Sequence, residues 1–260
     1  MTQTADNAPV VELDHVNYEY TTKNSIVQAI KDIELTINQG DFFCLVGPSG
    51  CGKSTLLKTI AGYIEPTSGE SRMENEIIKG PHWKRGVVFQ SATLYPWLTV
   101  RKNIEYGPRM RKQSKEEIKE SSDYYLEQIE LSDFANHYPF ELSGGMKQRV
   151  SLARVLANKP KLVLMDEPFS ALDAITRLKM QDFLRVLWKK NNQTILLITH
   201  DIEEALLLGT KVAVMSKNPG TIQSVFSVPY SEKVLNDKEY RIEDDSEFMK
   251  QKYAILKAIS

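Results

Sequence analysis

The chain has 260 residues, 42% of them hydrophobic and 26% charged, which suits one large globular domain or a main domain with a subdomain. A formal net charge of −1 removes the general electrostatic case for a nucleic-acid partner. No apolar run reaches the ~20 residues needed to cross a bilayer, and the N-terminal MTQTADNAPV lacks the basic and apolar regions of a signal peptide, so no leader and no membrane span are expected.

In chain order, residues 10–20 (VVELDHVNYEY) alternate apolar and polar side chains and predict a strand. Residues 33–37 (IELTI) predict a second, closed by the turn Asn38-Gln39-Gly40-Asp41. Residues 42–46 (FFCLV) are wholly apolar, the pattern of a strand covered on both faces. The next nine residues read Gly47-Pro48-Ser49-Gly50-Cys51-Gly52-Lys53-Ser54-Thr55. Their spacing fits G-x-x-x-x-G-K-[ST], a phosphate-binding loop leading into a helix, here expected at 53–63. Backbone N–H groups of such a loop, and the positive end of the helix dipole, attract an anion. Lys53 is placed to reach the β- and γ-phosphates of a nucleotide, and the Ser54 hydroxyl to reach Mg2+. A plain glycine-rich turn is the bland reading; the strand before it, Leu56-Leu57 after it and the complete GKST argue against that. Cys51 reads either as a reactive thiol beside the phosphates or as a small side chain at a tolerant position. With Cys44 in a buried strand and Cys51 in this loop, no disulfide is expected, which fits a reduced, cytoplasmic setting.

Residues 86–89 (GVVF) predict a short strand ending at Gln90, and 114–129 a helix with Glu116, Glu117, Lys119 and Glu120 on its wet face. A helix at 142–158 follows the start Leu142-Ser143-Gly144-Gly145. Ser143 suits a cap and the glycines leave N–H groups accessible, so this is a second anion-seeking helix start, although such caps are common by themselves. The strand at 162–165 ends in Asp166-Glu167. Asp166 is placed to hold Mg2+ through water, and Glu167 to orient and polarise an attacking water. An ordinary polar strand end is the alternative, and the phosphate loop upstream argues against it. A helix at 171–190, a strand at 194–199, a helix at 201–208 and strands at 211–216 and 222–228 follow. The tail is charged, with a last helix at 246–259. Strands alternating with helices imply a parallel sheet in a layered α/β core. The early alternating strands imply an antiparallel β subdomain, and the mostly helical stretch between Gln90 and Leu142 an inserted helical subdomain.

Leu142-Ser143-Gly144-Gly145-Met146-Lys147-Gln148-Arg149 resembles the signature motif of ATP-binding cassette (ABC) ATPases. The supporting motifs stand in family order: Tyr20 matches the aromatic that stacks on adenine, Gln90 the Q-loop glutamine, Ser170-Ala171-Leu172-Asp173 the D-loop, and His200 the switch histidine. The resemblance runs from about residue 10 to about 228. It implies an α/β P-loop cassette with a RecA-like parallel-sheet core, an N-terminal antiparallel β subdomain and an inserted helical subdomain at 91–157. The ATPase domain then covers 10–230, between a tail at 1–9 and a charged tail and helix at 231–260. By the same resemblance Glu167, His200 and Gln90 serve hydrolysis, and Ser54, Gln90 and Asp166 serve Mg2+. ATP is held by Tyr20 and residues 47–55 of one subunit and by Ser143, Gly144 and Gly145 of a second, in a head-to-tail dimer, with Asp173 at the D-loop. His200 could instead be a structural hydrogen-bonding group at a strand end. Tyr18 lies on the same face of its strand as Tyr20 by alternation and has the same chemistry.

The motif count narrows the branch. One P-loop, one signature and no span resemble the separate ATPase subunit of a multi-chain transporter. Exporter halves usually carry spans, translation-associated members two cassettes, and DNA-repair members a long coiled coil, for which 90–142 is too short. Leu94-Tyr95-Pro96-Trp97-Leu98-Thr99-Val100, followed by Asn103-Ile104, resembles the nitrate/sulfonate/taurine importer group, as does the tail around Ser246-Glu247-Phe248-Met249-Lys250, and this resemblance implies uptake of a small anionic or organic solute of the nitrate, sulfonate, taurine or thiamine-precursor type. The large residues Tyr95, Trp97 and Leu98 suit packing between subdomains, a groove for a permease helix, or both. The resemblance implies permease subunits docked near 90–98, an extracytoplasmic solute-binding protein as indirect partner, and a peripheral place on the cytoplasmic membrane face. An export or lipid-moving cassette is the alternative; a soluble ATPase on nucleic acid or ribosomes would call for a basic surface or a second cassette.

Overall fold

A computed structural model describes residues 9–21, 25–237 and 239–259. Residues 1–8 of the expected N-terminal tail lie outside the described residues, and Pro9 opens the first strand. The elements run β1 (Pro9–Thr21), β2 (Ile26–Asn38), β3 (Phe42–Val46), α1 (Lys53–Ala61), β4 (Ser68–Met73), β5 (Glu76–Ile77) and β6 (Arg85–Val88). Then come α2 (Val100–Met110), α3 (Lys115–Gln128), α4 (Gly144–Ala157), β7 (Leu162–Asp166) and α5 (Ala174–Asn191). The chain closes with β8 (Thr194–Ile198), α6 (Ile202–Leu208), β9 (Lys211–Met215), β10 (Ile222–Ser227), α7 (Tyr230–Asn236) and α8 (Ser246–Ile259). Among the described residues no helix is long and apolar enough to cross a membrane.

The chain divides into two compact units. The first, residues 1–82 and 185–260, holds an antiparallel sheet in the order β2-β1-β4-β5. It also holds β10, β9, β3 and β8 side by side in that order, with β3 parallel to both β8 and β9. β3 (FFCLV) and β8 (TILLI) are buried at every position, as strands covered on both faces must be. Because β3 and β8 run parallel in register (Leu45 beside Ile198), their C-terminal ends open at one edge, about 4.8 Å apart. That edge is where ligands bind in open α/β sheets. Trp188 closes the opposite end: its indole N–H donates to Gly40 O at 2.6 Å, and its ring meets Phe42 edge-on.

The tail adds α7 and α8 to this unit, with Tyr230 against the buried Phe248. Asp245 organises the junction. Its carboxylate accepts Lys233 Nζ at 2.6 Å, the Tyr240 hydroxyl at 2.8 Å and the N–H groups of Glu247 and Phe248 at the start of α8. The Lys233 ammonium first, then the Tyr240 hydroxyl, push this carboxyl down to about 2. An acid depressed on folding stabilises the native state fully above its unfolded value, near 3.9, and loses that contribution as pH falls toward 2. Asp245→Ala is expected to cost about 1–2 kcal/mol at neutral pH, the usual cost of a lost helix cap. The gap between wild type and variant in thermal unfolding should shrink between pH 4 and pH 2.

The second unit, residues 83–184, contains β6 parallel to β7, helices α2 to α4 and the first part of α5. Ser114 and Glu117 form a capping box at α3, and Arg101 of α2 reaches Asp123 of α3 at 2.6 Å. The Tyr125 hydroxyl of α3 donates to Leu156 O in α4, and burial raises its pKa.

Several expected bounds move for local reasons. α1 ends at Ala61 rather than 63, because Gly62 turns left-handed and donates back to the last turn. α5 starts at Ala174 rather than 171, because Asp173 accepts the Thr176 N–H as its cap. β2 starts at Ile26, not 33, since Ile26 and Val27 pair with Thr21 and Tyr20 across the hairpin. β4, β5 and α7 are additions; SGESRM, the β4 sequence, carries no apolar alternation to reveal it.

Candidate functional site

In the first unit, the loop 47–52 leaves β3 and enters α1 at Gly52, whose φ of +97° is left-handed. A Cβ at Gly52 would also lie 2.6 Å from Ile30 Cγ2, so this position needs glycine for conformation and for space. No side chain caps α1, which leaves its first N–H groups for an anion. Pro48, Ser49, Gly50 and Ser54 are accessible, whereas Gly47, Cys51, Lys53 and Thr55 are buried. Lys53 Nζ donates to Gly47 O at 2.8 Å and Pro48 O at 3.0 Å, and lies 3.6 Å from Cys51 Sγ. A nearly buried ammonium on neutral acceptors is a charge in want of an anion. Both cysteines are free thiols, and burial first raises the Cys44 pKa well above its ordinary value.

The Tyr20 hydroxyl meets Thr55 Oγ1 at 3.1 Å, while 40% of the residue stays exposed. Tyr18 packs edge-on against it, with ring centroids 4.9 Å apart. Tyr20 is therefore the one of the two bonded to the P-loop helix. His200 stands at the C-terminal end of β8, the strand beside β3, and is exposed. Asp201 after it caps α6, accepting the Glu203 and Glu204 N–H groups.

In the second unit, parallel β6 and β7 bring Gln90 and the Asp166-Glu167 pair to one edge, with Val88 in register with Met165. Gln90 Nε2 donates to Glu167 Oε2 at 3.1 Å. Glu167 has φ +45°, a left-handed conformation that is unusual for its residue type and is found disproportionately at active sites. Ser170 holds it from behind by donating to its carbonyl at 3.0 Å. Ser143 caps α4 through the Met146 N–H. Gly144 stands open, and a Cβ at Gly145 would come 3.2 Å from Ala171 O, so the signature helix starts against the D-loop. The Thr176 N–H bond first, then its hydroxyl, lower the pKa of Asp173.

The match of the ABC transporter family model to residues 30–170 decides the class, since it covers more than half of the chain. The chain belongs to the ABC transporter ATPases. The cassette is 43% identical over 230 residues to the taurine import ATP-binding protein TauB of Jannaschia sp. (strain CCS1), covering 88% of this chain and 86% of that one. It is 44% identical over 242 residues to the nitrate import ATP-binding protein NrtD of Synechocystis sp., covering 92% and 91%. Among solved structures, a dimeric post-hydrolysis state of the ATP-binding cassette MJ0796 bound to ADP and Pi is 34% identical at a TM-score of 0.77. It covers 84% of this chain and 99% of that one.

Two supports of the cassette have no role assigned from sequence. Gln148, nearly fully buried, donates to Phe89 O and so ties the signature helix to the residue before Gln90. Asn103, fully buried, binds the carbonyls of Tyr95, Leu98 and Thr99 and accepts the Tyr95 N–H. A polar residue at an inward helical position is the only signal either carries.

Proposed function

We propose that this cassette is the ATP-hydrolysing subunit of an importer for a small anionic solute, of the taurine, sulfonate or nitrate kind. The Gln90–Glu167 hydrogen bond at paired strand ends supports the hydrolytic half most directly. The transport half rests on relatives named as taurine and nitrate import proteins. Two copies close head to tail on ATP, each offering Ser143, Gly144 and Gly145 to the other's γ-phosphate. Tyr20 stacks on adenine, Lys53 and the loop N–H groups hold the phosphates, and His200 reads the γ-phosphate. Ser54, Gln90 and Asp166 supply hard oxygen donors of the sort Mg2+ takes, and the metal neutralises phosphate charge when bound. Glu167 polarises the attacking water. Hydrolysis removes contacts that favour the closed dimer, which shifts the population back to open.

The loop 95–99 suits a permease. Trp97 is 69% exposed and tilts against Tyr95, with ring centroids 5.5 Å apart, while Asn103 fixes the loop backbone beneath it. Tryptophan is one of the residues enriched at interface hot spots. Trp97→Ala is expected to weaken permease binding by about 2 kcal/mol, roughly 30-fold, in a titration of the detergent-solubilised permease. Equal affinities would return Trp97 to an ordinary surface role. The docked cassette sits on the cytoplasmic membrane face, and its permease receives solute from an extracytoplasmic binding protein.

The function is tested by uptake in a strain lacking this subunit, complemented with wild type or Lys53→Ala. The panel is taurine, an alkanesulfonate, nitrate and a thiamine pyrimidine precursor. One compound entering only with wild type is the expected result. No uptake of any of them, with ATP hydrolysis intact in the purified protein, would overturn the assignment to this importer branch and leave the ATPase cassette standing.

A further inference from the structure

The turn joining β9 to β10, residues 216–221, touches the phosphate loop from behind. A Cβ built on Gly220 would lie 2.0 Å from Cys51 O, 2.9 Å from Met215 Cε and 3.0 Å from Ala29 O. At the other end of the loop, a Cβ on Gly47 would lie 2.6 Å from Met215 O. The turn is pinned on both sides. Gly220 exchanges backbone hydrogen bonds with β2, donating to Ala29 O at 3.1 Å and accepting from Lys31 N–H at 2.9 Å. Ser216 and Thr221 lock the neck of the turn through a hydroxyl pair at 2.7 Å, a bond from Ser216 Oγ to Pro219 O, and one from Thr221 N–H to Ser216 Oγ. A fixed backbone thus stands against the Cys51 carbonyl, and only the absence of a side chain at Gly220 makes room for it.

We infer that Gly220 is a positioning residue for ATP: it sets the peptide between Cys51 and Gly52, and through it a phosphate-binding N–H. The physics is that of a planar trans peptide, in which C=O and N–H point in opposite directions. With the Cys51 oxygen aimed at Gly220, the Gly52 N–H is aimed away from the turn. Backbone N–H groups of this loop are what cradles the phosphates. A methyl group at Gly220 must push the Cys51 oxygen aside, because the turn is tied to β2 and cannot retreat. Tilting that peptide swings the Gly52 N–H off its line. Lys53 and Glu167 are untouched, so the chemical step keeps its groups while nucleotide binding suffers.

This rests on residues 47–55 being the nucleotide site, and the experiment separates the two statements. The dissociation constant of trinitrophenyl-ATP and the KM and kcat for MgATP are measured on full-length wild type, Gly220→Ala and Gly209→Ala. Gly209 is the control for steric damage alone: a Cβ there would lie 2.6 Å from Ala205 O, also too close to a backbone oxygen though less so than the 2.0 Å at Gly220, and away from the loop. For Gly220→Ala, KM and the dissociation constant should rise about 10- to 100-fold, the loss of one hydrogen bond to a charged group. Its kcat at saturating MgATP should stay within about threefold, and Gly209→Ala should bind like wild type. If Gly220→Ala does not fold, Ser216→Ala, which loosens the turn without adding atoms, should still raise KM with kcat kept. Wild-type affinity in a folded Gly220→Ala, or equal weakening in Gly209→Ala, would overturn the inference. Failure of wild type itself to bind the probe would instead overturn the nucleotide site.

Discussion

Glu167→Gln is expected to bind MgATP about as well as wild type and to hydrolyse it about 10²–10⁴-fold more slowly, the range for loss of a general base. The substitution keeps size and shape. A glutamine amide oxygen at position 167 can still accept the bond that Gln90 Nε2 makes to Glu167 at 3.1 Å. The left-handed backbone at φ +45°, held by Ser170, has no reason to change. What is lost is one basic oxygen. In the proposed cycle ATP binding and dimer closure precede the step that needs it, so the variant should collect as a closed dimer. Light scattering at saturating MgATP should report twice the monomer mass, and single-turnover measurement should show the slow step. A variant that turns ATP over at the wild-type rate would remove Glu167 from the chemistry. A monomer at saturating MgATP would count against the head-to-tail arrangement.

The two glycine-rich helix starts and the strand ending in Asp166-Glu167 stand where the sequence places them, because each is a short local pattern. Residues 47–55 need no distant partner to be read, and neither do Asp166 and Glu167 at the end of four apolar residues. The buried strands β3 and β8 were legible for a related reason, since an unbroken apolar run of strand length bounded by turn residues has few other readings. What stayed hidden is long-range. Nothing near position 20 says that the Tyr20 hydroxyl meets Thr55, 35 residues on, or that Gln148 reaches back 59 residues to Phe89 O. Alternation placed Tyr18 and Tyr20 together, and only the folded register tells which one touches α1. Pro219-Gly220 announces a turn. That this turn presses on the phosphate loop depends on β9 lying next to β3, which is a fact of topology and not of local sequence.

Lys53→Ala is expected to lower ATP turnover by at least about 10²–10³-fold, the effect of removing one preorganised donor from developing negative charge. The ammonium is nearly buried, so its field acts on phosphate with little screening by water. Its present partners, Gly47 O and Pro48 O, also tie the loop to its own first turn. The variant therefore loses a phosphate contact and two internal bonds together, and ATP affinity should fall along with the rate. Lys53→Arg should not restore activity. Arginine presents a broad planar fork where a compact point charge fits between two carbonyls. Phosphate release and nucleotide titration on the same preparations would separate rate from affinity. A Lys53→Ala protein with near-wild-type turnover would mean that residues 47–55 do not hold the reacting phosphates. Loss of turnover together with loss of solute uptake in cells would tie this one ammonium to transport as well as to hydrolysis.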